Sequence, residues 1–321
     1  MSSQSIRLAG PADILEIVPY LLGFYPAEAV VALLIRSGTV MLTMRVDLPP
    51  PEEAANLSAM ITWIADQHGA EELVVVGYSS DAESARQVLG TVGAELDSCA
   101  LKDVLLVDGQ RWWSLMCTGS CCPKDGRPYD PGSSSVAAEA VYAGLSVLAD
   151  RRALEREVSG PPGGDHNGLR LLAEQQSAEI DRLDVSARAE LIKALVESGV
   201  ARSEPIDDAT CARMAVLAAE VAVRDVALAL ITRKQAEQHL QLWARVVSRT
   251  TAPLEAAPLG LLGFCAWVCG NGALMNCCIE RVTAIEPDYS LARLLDKISN
   301  WALPPSLWDE LSRQSVQKCR S

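Results

Sequence analysis

Basic side chains, histidines and long apolar runs are all scarce in this 321-residue chain, and each shortage removes a class of function. Lys and Arg number 28 against 41 Asp and Glu, leaving a net charge of −13 at neutral pH. No Lys/Arg run offsets that field, so the sequence argues against nucleic-acid binding. The three histidines, His68, His166 and His239, stand apart, with no H-E-x-x-H or His-x-His spacing to hold a catalytic metal. G-x-S-x-G, G-x-G-x-x-G and C-x-x-C are missing as well. The most apolar stretch, residues 259–269, stops at Gly270-Asn271-Gly272, far short of the roughly 20 residues that a membrane-spanning helix requires. Glu16 and Pro19 interrupt the early apolar run, which does not read as a signal peptide. The expectation is a soluble cytoplasmic protein with no membrane partner, its ten cysteines free thiols or ligands rather than a disulfide framework.

What is present suffices for two packed domains. Apolar residues make up 49 % and charged residues 21 % of the chain, the composition of a globular protein. The acidity is uneven: residues 1–158 carry 11 basic and 21 acidic side chains, residues 159–321 carry 17 and 20. Between these halves lies the only long run of turn formers, Ser159-Gly160-Pro161-Pro162-Gly163-Gly164-Asp165-His166-Asn167-Gly168. The chain therefore divides into an α/β domain over 1–158, a linker over 159–168 and a helical domain over 169–321.

In the first half, the apolar run 30–36 and the alternating run 39–47 are joined by Ser37-Gly38 alone, which predicts a tight hairpin. Helical, strand, helical and strand patterns follow over about 51–69, 73–77, 81–96 and 101–107. Asp108-Gly109 then turns into a strand over 110–116. The order is ββαβαββ in a mixed sheet, with the inner βαβαβ part parallel and the hairpin partners antiparallel. After the linker the period is helical. Asp184 or Ser186 can cap a helix ending at Gly199, Asp207 or Asp208 can open a long one to about Ile231, and Thr232 with Gln235 has capping-box spacing. Further helices are predicted over about 256–269, 272–286, 289–301 and 305–317. Leu262-Gly263, Gly270, Met275, Ile279, Val282 and Pro287 fall at the spacing of one tetratricopeptide-like helical hairpin, although no second copy follows.

The densest chemistry is the stretch Trp112-Trp113-Ser114-Leu115-Met116-Cys117-Thr118-Gly119-Ser120-Cys121-Cys122-Pro123. Cys117, Cys121 and Cys122 can supply three thiolates to zinc, which wants a fourth ligand that is not local. A redox role is the other chemical reading. The favoured one is structural, with small polarizable side chains packing a turn beneath the tryptophans, and no cofactor is expected. Cys265, Cys269, Cys277 and Cys278 lie among Leu261, Trp267 and Ile279, where free cysteine is an ordinary core residue. Gly77-Tyr78-Ser79-Ser80-Asp81 is a strand-to-helix turn of the kind that binds phosphates, but Asp81 opposes an anion and reads as a cap. The catalytic candidates are three: Asp47 and Asp108 at strand ends, and Arg111 beside the tryptophans, placed to pair with an anion.

Several stretches together resemble DUF4192, an actinobacterial and phage-borne family of uncharacterised proteins. They are Leu22-Gly23-Phe24-Tyr25-Pro26, Asp108-Gly109-Gln110-Arg111-Trp112-Trp113-Ser114, the cysteine stretch to Pro123, and Ala137-Ala138-Glu139-Ala140-Val141-Tyr142-Ala143-Gly144. Ala266-Trp267, Gly270-Asn271-Gly272-Ala273, Pro287-Asp288-Tyr289-Ser290 and Leu303-Pro304-Pro305 continue the likeness. The resemblance implies no reaction or catalytic residue. Similar sequences commonly carry serine at Ala29 and aspartate at Asn271, so neither position offers a nucleophile or carboxylate here.

Without a catalytic constellation, the expected function is a non-enzymatic interaction or scaffold protein that binds a protein partner or a second copy. Trp267, Asn271, Asp288 and Tyr289 are its candidate contact residues. The alternative is an α/β enzyme or small-ligand binder, with Asp47, Asp108, Arg111 and the 117–122 loop lining a cleft at the strand ends.

Overall fold

The computed structural model describes residues 6–96, 99–119, 122–132, 134–161, 163, 166–202 and 204–311. They form two compact units, Met1–Arg151 and Arg152–Ser321. The first holds a mixed six-stranded sheet. The second is helical.

The sheet comprises β1 (Ala29–Arg36), β2 (Thr39–Asp47), β3 (Glu72–Tyr78), β4 (Ala100–Val107), β5 (Arg111–Ser114) and β6 (Arg127–Pro128), in the order β2-β1-β3-β4-β5-β6. Ser37 and Gly38 both take positive φ (51° and 72°), as a two-residue hairpin turn requires, and Arg36 pairs with Thr39. One expectation needs correcting. β2, β3 and β4 do run in the same direction, but β1 lies antiparallel between β2 and β3, so only β3 and β4 pair in parallel. The cause is the distribution of apolar groups. Every side chain from Ala29 to Leu34 is fully buried, whereas β2 is half-exposed along its length. A strand apolar on both faces takes the interior of a sheet, and an alternating one suits the edge.

The helices α1 (Pro11–Leu22), α2 (Ala54–His68), α3 (Ala82–Glu95) and α4 (Ser135–Tyr142) complete this unit. α2 and α3 pack against each other. At Gly77 of β3 an added Cβ would lie 2.6 Å from Leu89 Cδ1 of α3, so this glycine sets how closely helix and sheet approach. The early run containing Glu16 and Pro19 forms α1: Pro11 occupies its first turn, and Gly23 (φ 82°) ends it by donating to the Pro19 carbonyl at 2.8 Å. α1 packs on α4 through Ile17, Tyr20, Val136, Ala137 and Ala140.

α5 (Arg151–Glu157) spans the division between the units. The second unit continues with α6 (His166–Ile180), α7 (Val185–Ala201), α8 (Asp208–Ala219), α9 (Val221–Ala229), α10 (Ala236–Val247), α11 (Ala256–Val268), α12 (Gly272–Ile285) and α13 (Ser290–Asn300), then a short helical segment at 306–311. Pro162, Gly164 and Asp165 of the expected linker, and residues 312–317 of the last predicted helix, lie outside the described residues. Asp184 and Asp207 cap α7 and α8 by accepting from Ala187 N (2.8 Å) and Thr210 N (2.7 Å). The single helix expected to run from Asp207 to Ile231 is broken at Glu220, which turns extended and pairs with Arg188 at 3.0 Å. Thr232 makes no side-chain cap; a 3-10 turn at Arg233–Gln235 leads into α10 instead.

α11 is the centre of the unit. All its residues are buried, and it packs against α8, α9, α10, α12 and α13. Close approach needs small groups: an added Cβ at Gly263 would lie 3.0 Å from both Cys278 Cβ and Leu295 Cδ1. Asn271 starts α12 by accepting from Leu274 N at 3.0 Å.

Candidate functional site

The Trp–Cys stretch is built on the β4–β5 turn. Asp108 Oδ1 accepts from the backbone N–H groups of Gln110 (2.9 Å) and Arg111 (2.7 Å), while Gly109 supplies the positive φ of 94°. Asp108 is thus a turn residue, occupied by its own backbone. The Arg111 guanidinium turns to the following loop, where Nη1 donates to the carbonyls of Asp125 and Gly126, both at 3.0 Å. Trp113 Nε1 donates to the Lys124 carbonyl at 3.1 Å, and Gly126, at φ 73°, packs directly on the indole. The cations of Arg86 and Arg127 stand 4.9 Å and 5.7 Å over the rings of Trp113 and Trp112. Ser114 Oγ donates to Asp103 Oδ1 at 2.6 Å and accepts from Cys117 N at 3.1 Å.

Those bonds close the loop on itself. Cys117 and Cys122 are half-buried, Cys122 N donates to the Gly119 carbonyl at 3.3 Å, and Gly126 N donates to the Pro123 carbonyl at 2.9 Å. Cys121 lies outside the described residues. Among the described residues no group of three or more His, Cys, Asp or Glu side chains is placed to hold a metal ion. The chemistry visible in the loop is hydrogen bonding to carbonyls and stacking on indoles, both of which fix its shape.

Asp47 is not part of this constellation. It ends β2 with an 86 % exposed side chain and pairs with Arg45 at 2.5 Å. Asp47 and Arg111 lie at the same end of the sheet, on strands separated by β1, β3 and β4. At roughly 4.8 Å per strand, they stand about 19 Å apart. The cleft expected to join Asp47 with Arg111 is therefore not assembled by the sheet.

The turn after β3 is occupied from within. Glu28, itself at φ 44°, accepts from Ser80 N, Ser80 Oγ and Ser79 Oγ, each at 2.8 Å. The Ser80 N–H bond holds the Glu28 carboxyl below its ordinary range. Asp81 caps α3 by accepting from Glu83 N and Ser84 N. An internal carboxylate stands where a phosphate binder would receive its ligand. The expected capping role of Asp81 is present, and Glu28 is a partner that sequence spacing, 51 residues away, does not signal.

In the helical unit, Trp267 is 5 % exposed and donates from Nε1 to the Leu303 carbonyl at 2.8 Å. Tyr289 is 9 % exposed beneath Arg224, whose guanidinium carbon lies 5.3 Å from the ring. Burial places both in the packing rather than on a contact surface. Asn271 is the α12 cap, and Asp288 is open to solvent beside Arg293 at 3.6 Å. Cys265, Cys277 and Cys278 are buried, while Cys269 lies at the exposed end of α11. Burial pushes the Cys265 and Cys278 thiols up, and the Cys211 thiol up to about 12.

One surface was not among the candidates. The inner face of α4 meets α1, and its outer face carries Ala138, Val141 (60 % exposed) and Tyr142 (82 % exposed), with Leu145 (38 %) just beyond. The i, i+3, i+4, i+7 spacing of these four is the legible signal. A helix this short and apolar on two faces is normally buried on both.

The first unit is a mixed-sheet α/β body with a tied Trp–Cys loop, and the second an all-helical body centred on one apolar helix. The chain belongs to the family described as "Domain of unknown function (DUF4192)", which matches residues 11–306. No curated protein and no solved structure matches the chain.

Proposed function

We propose that this is a non-enzymatic interaction or scaffold protein of the cytoplasm, and that the outer face of α4 docks a protein partner bearing an apolar, basic-flanked surface. The exposed Val141–Tyr142 pair carries the reading. Apolar side chains this open on a short helix are the signature of a contact surface awaiting cover. Charge complementarity supports the partner's chemistry: residues 1–151 hold 9 basic against 19 acidic side chains, so two such surfaces repel one another and a cationic rim is favoured. The α11–α12 hairpin is read as one tetratricopeptide-like pair set within a bundle, which stiffens the second unit.

The test uses the full chain and two synthetic 18-residue amphipathic helices, one of Leu and Lys, the other of Leu and Glu. Titration calorimetry should show the Leu/Lys peptide binding and the Leu/Glu peptide failing to bind. The double substitution Val141→Glu, Tyr142→Glu should weaken binding at least tenfold with circular dichroism unchanged. Equal binding to the substituted chain refutes the α4 site. A dimer by light scattering that dissociates on the same substitutions replaces the foreign partner with a second copy.

A further inference from the structure

Four of the chain's six tyrosines, Tyr20, Tyr25, Tyr78 and Tyr129, gather around Glu16. Glu16 and Tyr20 lie four residues apart on α1 and so share a face. Tyr25 follows the Gly23 turn and is anchored by its N–H to the Leu148 carbonyl at 3.2 Å. Tyr78 ends β3. Tyr129 follows β6 and is anchored by its N–H to the Gln110 carbonyl at 2.8 Å. Gly132 ties the group together: its N–H donates to Glu16 Oε2 at 2.9 Å, and a Cβ on it would lie 3.3 Å from the Tyr25 hydroxyl.

The Tyr78 hydroxyl is the informative atom. The residue is 3 % exposed and its oxygen has no hydrogen-bond partner. Tyr129 and Glu16 lie within electrostatic reach of it. A buried polar atom left unmatched in a native fold asks for a ligand or solvent group to meet it. Burial raises the Tyr78 and Tyr129 hydroxyls, so both stay neutral, and the formal charge these five residues present is the Glu16 carboxylate. An anion is repelled there. A cation with N–H donors finds a carboxylate and phenolic oxygens together.

We propose that Glu16, Tyr25, Tyr78 and Tyr129 form a binding site for an organic ammonium group, which donates to the Glu16 carboxylate and to the Tyr78 oxygen. The site is independent of the α4 surface. The ammonium belongs either to a small free amine or to a lysine side chain, and the chemistry of recognition is the same.

The experiment is an NMR titration of the full chain with n-butylammonium, n-butanol and n-butyrate, followed by Nα-acetyl-lysine methylamide. n-Butylammonium should shift the amides of Tyr25, Tyr129 and Gly132 saturably, whereas butanol and butyrate should not. Glu16→Gln should weaken binding at least tenfold. Tyr78→Phe, which removes only the unmatched hydroxyl and so keeps the fold, should weaken it several-fold, and Tyr129→Phe provides a second conservative variant. Binding of the lysine derivative as tight as that of the free amine assigns a peptide source; much weaker binding assigns a small amine. Equal binding of butanol, or n-butylammonium affinity unchanged in Tyr78→Phe and Tyr129→Phe, overturns the proposal, as does an absence of saturable shifts.

Discussion

Gly77 is the penultimate residue of β3, just before a turn where glycine can serve either a ligand or the packing, and Gly77→Ala separates the two. The added methyl would meet Leu89 Cδ1 at 2.6 Å and both Cγ and Cδ2 at 3.1 Å. Ordinary carbon contacts are about 3.5–4.0 Å. Leu89 is fully buried, and three of its atoms face the methyl, so rotating one away brings in another. α3 must therefore retreat from the sheet by roughly 1 Å. Overpacking of this kind costs about 1–3 kcal/mol. Gly77 has no positive φ, so alanine recovers about 0.5–1 kcal/mol in strand propensity. The net expectation is a loss centred on ~1 kcal/mol and at most ~2.5, the central value being roughly 2–4 °C in Tm for a unit of this size. Hydrogen exchange resolved by peptide is the suitable assay, because β3 and α3 should lose protection while α11 does not. Leu89→Ala alone should cost about 2–5 kcal/mol. Combined with Gly77→Ala it should cost less than the sum by more than about 1 kcal/mol, since each change makes room for the other. Additive effects, or a stabilised Gly77→Ala protein, would refute the packing explanation.

Ser114→Ala removes the hydroxyl that joins Asp103 to Cys117 N and should cost about 1–3 kcal/mol in urea denaturation; no change would show that the loop does not depend on this bridge. Cys117→Ser and Cys122→Ser should each cost about 1 kcal/mol without altering peptide binding, and a thermal-shift series on purified variants checks both. The second unit should weaken in acid. Burial lowers the His239 imidazole, against the bond to the Leu230 carbonyl that raises it, so the unfolded chain takes up a proton near 6.5 while the folded chain resists. The contribution is complete above about pH 6.5 and declines as pH falls toward the folded value. Urea midpoints at pH 7.5 and 5.5 should show the loss, and His239→Gln should reduce it.

Local features were the legible part of this sequence because they obey local physics. The Ser37-Gly38 hairpin, the Asp108-Gly109 turn and the caps at Asp184 and Asp207 each depend on fewer than five residues. Strand order was less accessible, since βαβ chirality alone does not say whether β1 slips between β2 and β3. The clue was present in composition: a six-residue run with no polar face, beside a strand that alternates. Read as a hairpin, the pair gave the right neighbours, but the need to bury both faces of β1 decided which of the two lies inside.

The candidate residues fared according to how many partners already claimed them. Arg111, Trp113 and Asp108 look chemically rich in sequence because they are close to one another, yet closeness in sequence is what lets a loop satisfy itself. Three of the groups that looked reactive there donate to, or accept from, backbone no more than 15 residues away. Glu28 and Tyr78 are the opposite case. Glu28 reaches serines across 51 or 52 residues, and Tyr78 lies within electrostatic reach of a tyrosine and a glutamate supplied by other elements. Spacing cannot reveal such convergence, because it is made by the sheet and by α1. Where chemistry is assembled from distant segments and one polar atom is left unmatched, local satisfaction no longer accounts for the residues. That asymmetry makes the tyrosine cluster, rather than the cysteine loop, the better place in the first unit to look for a small ligand.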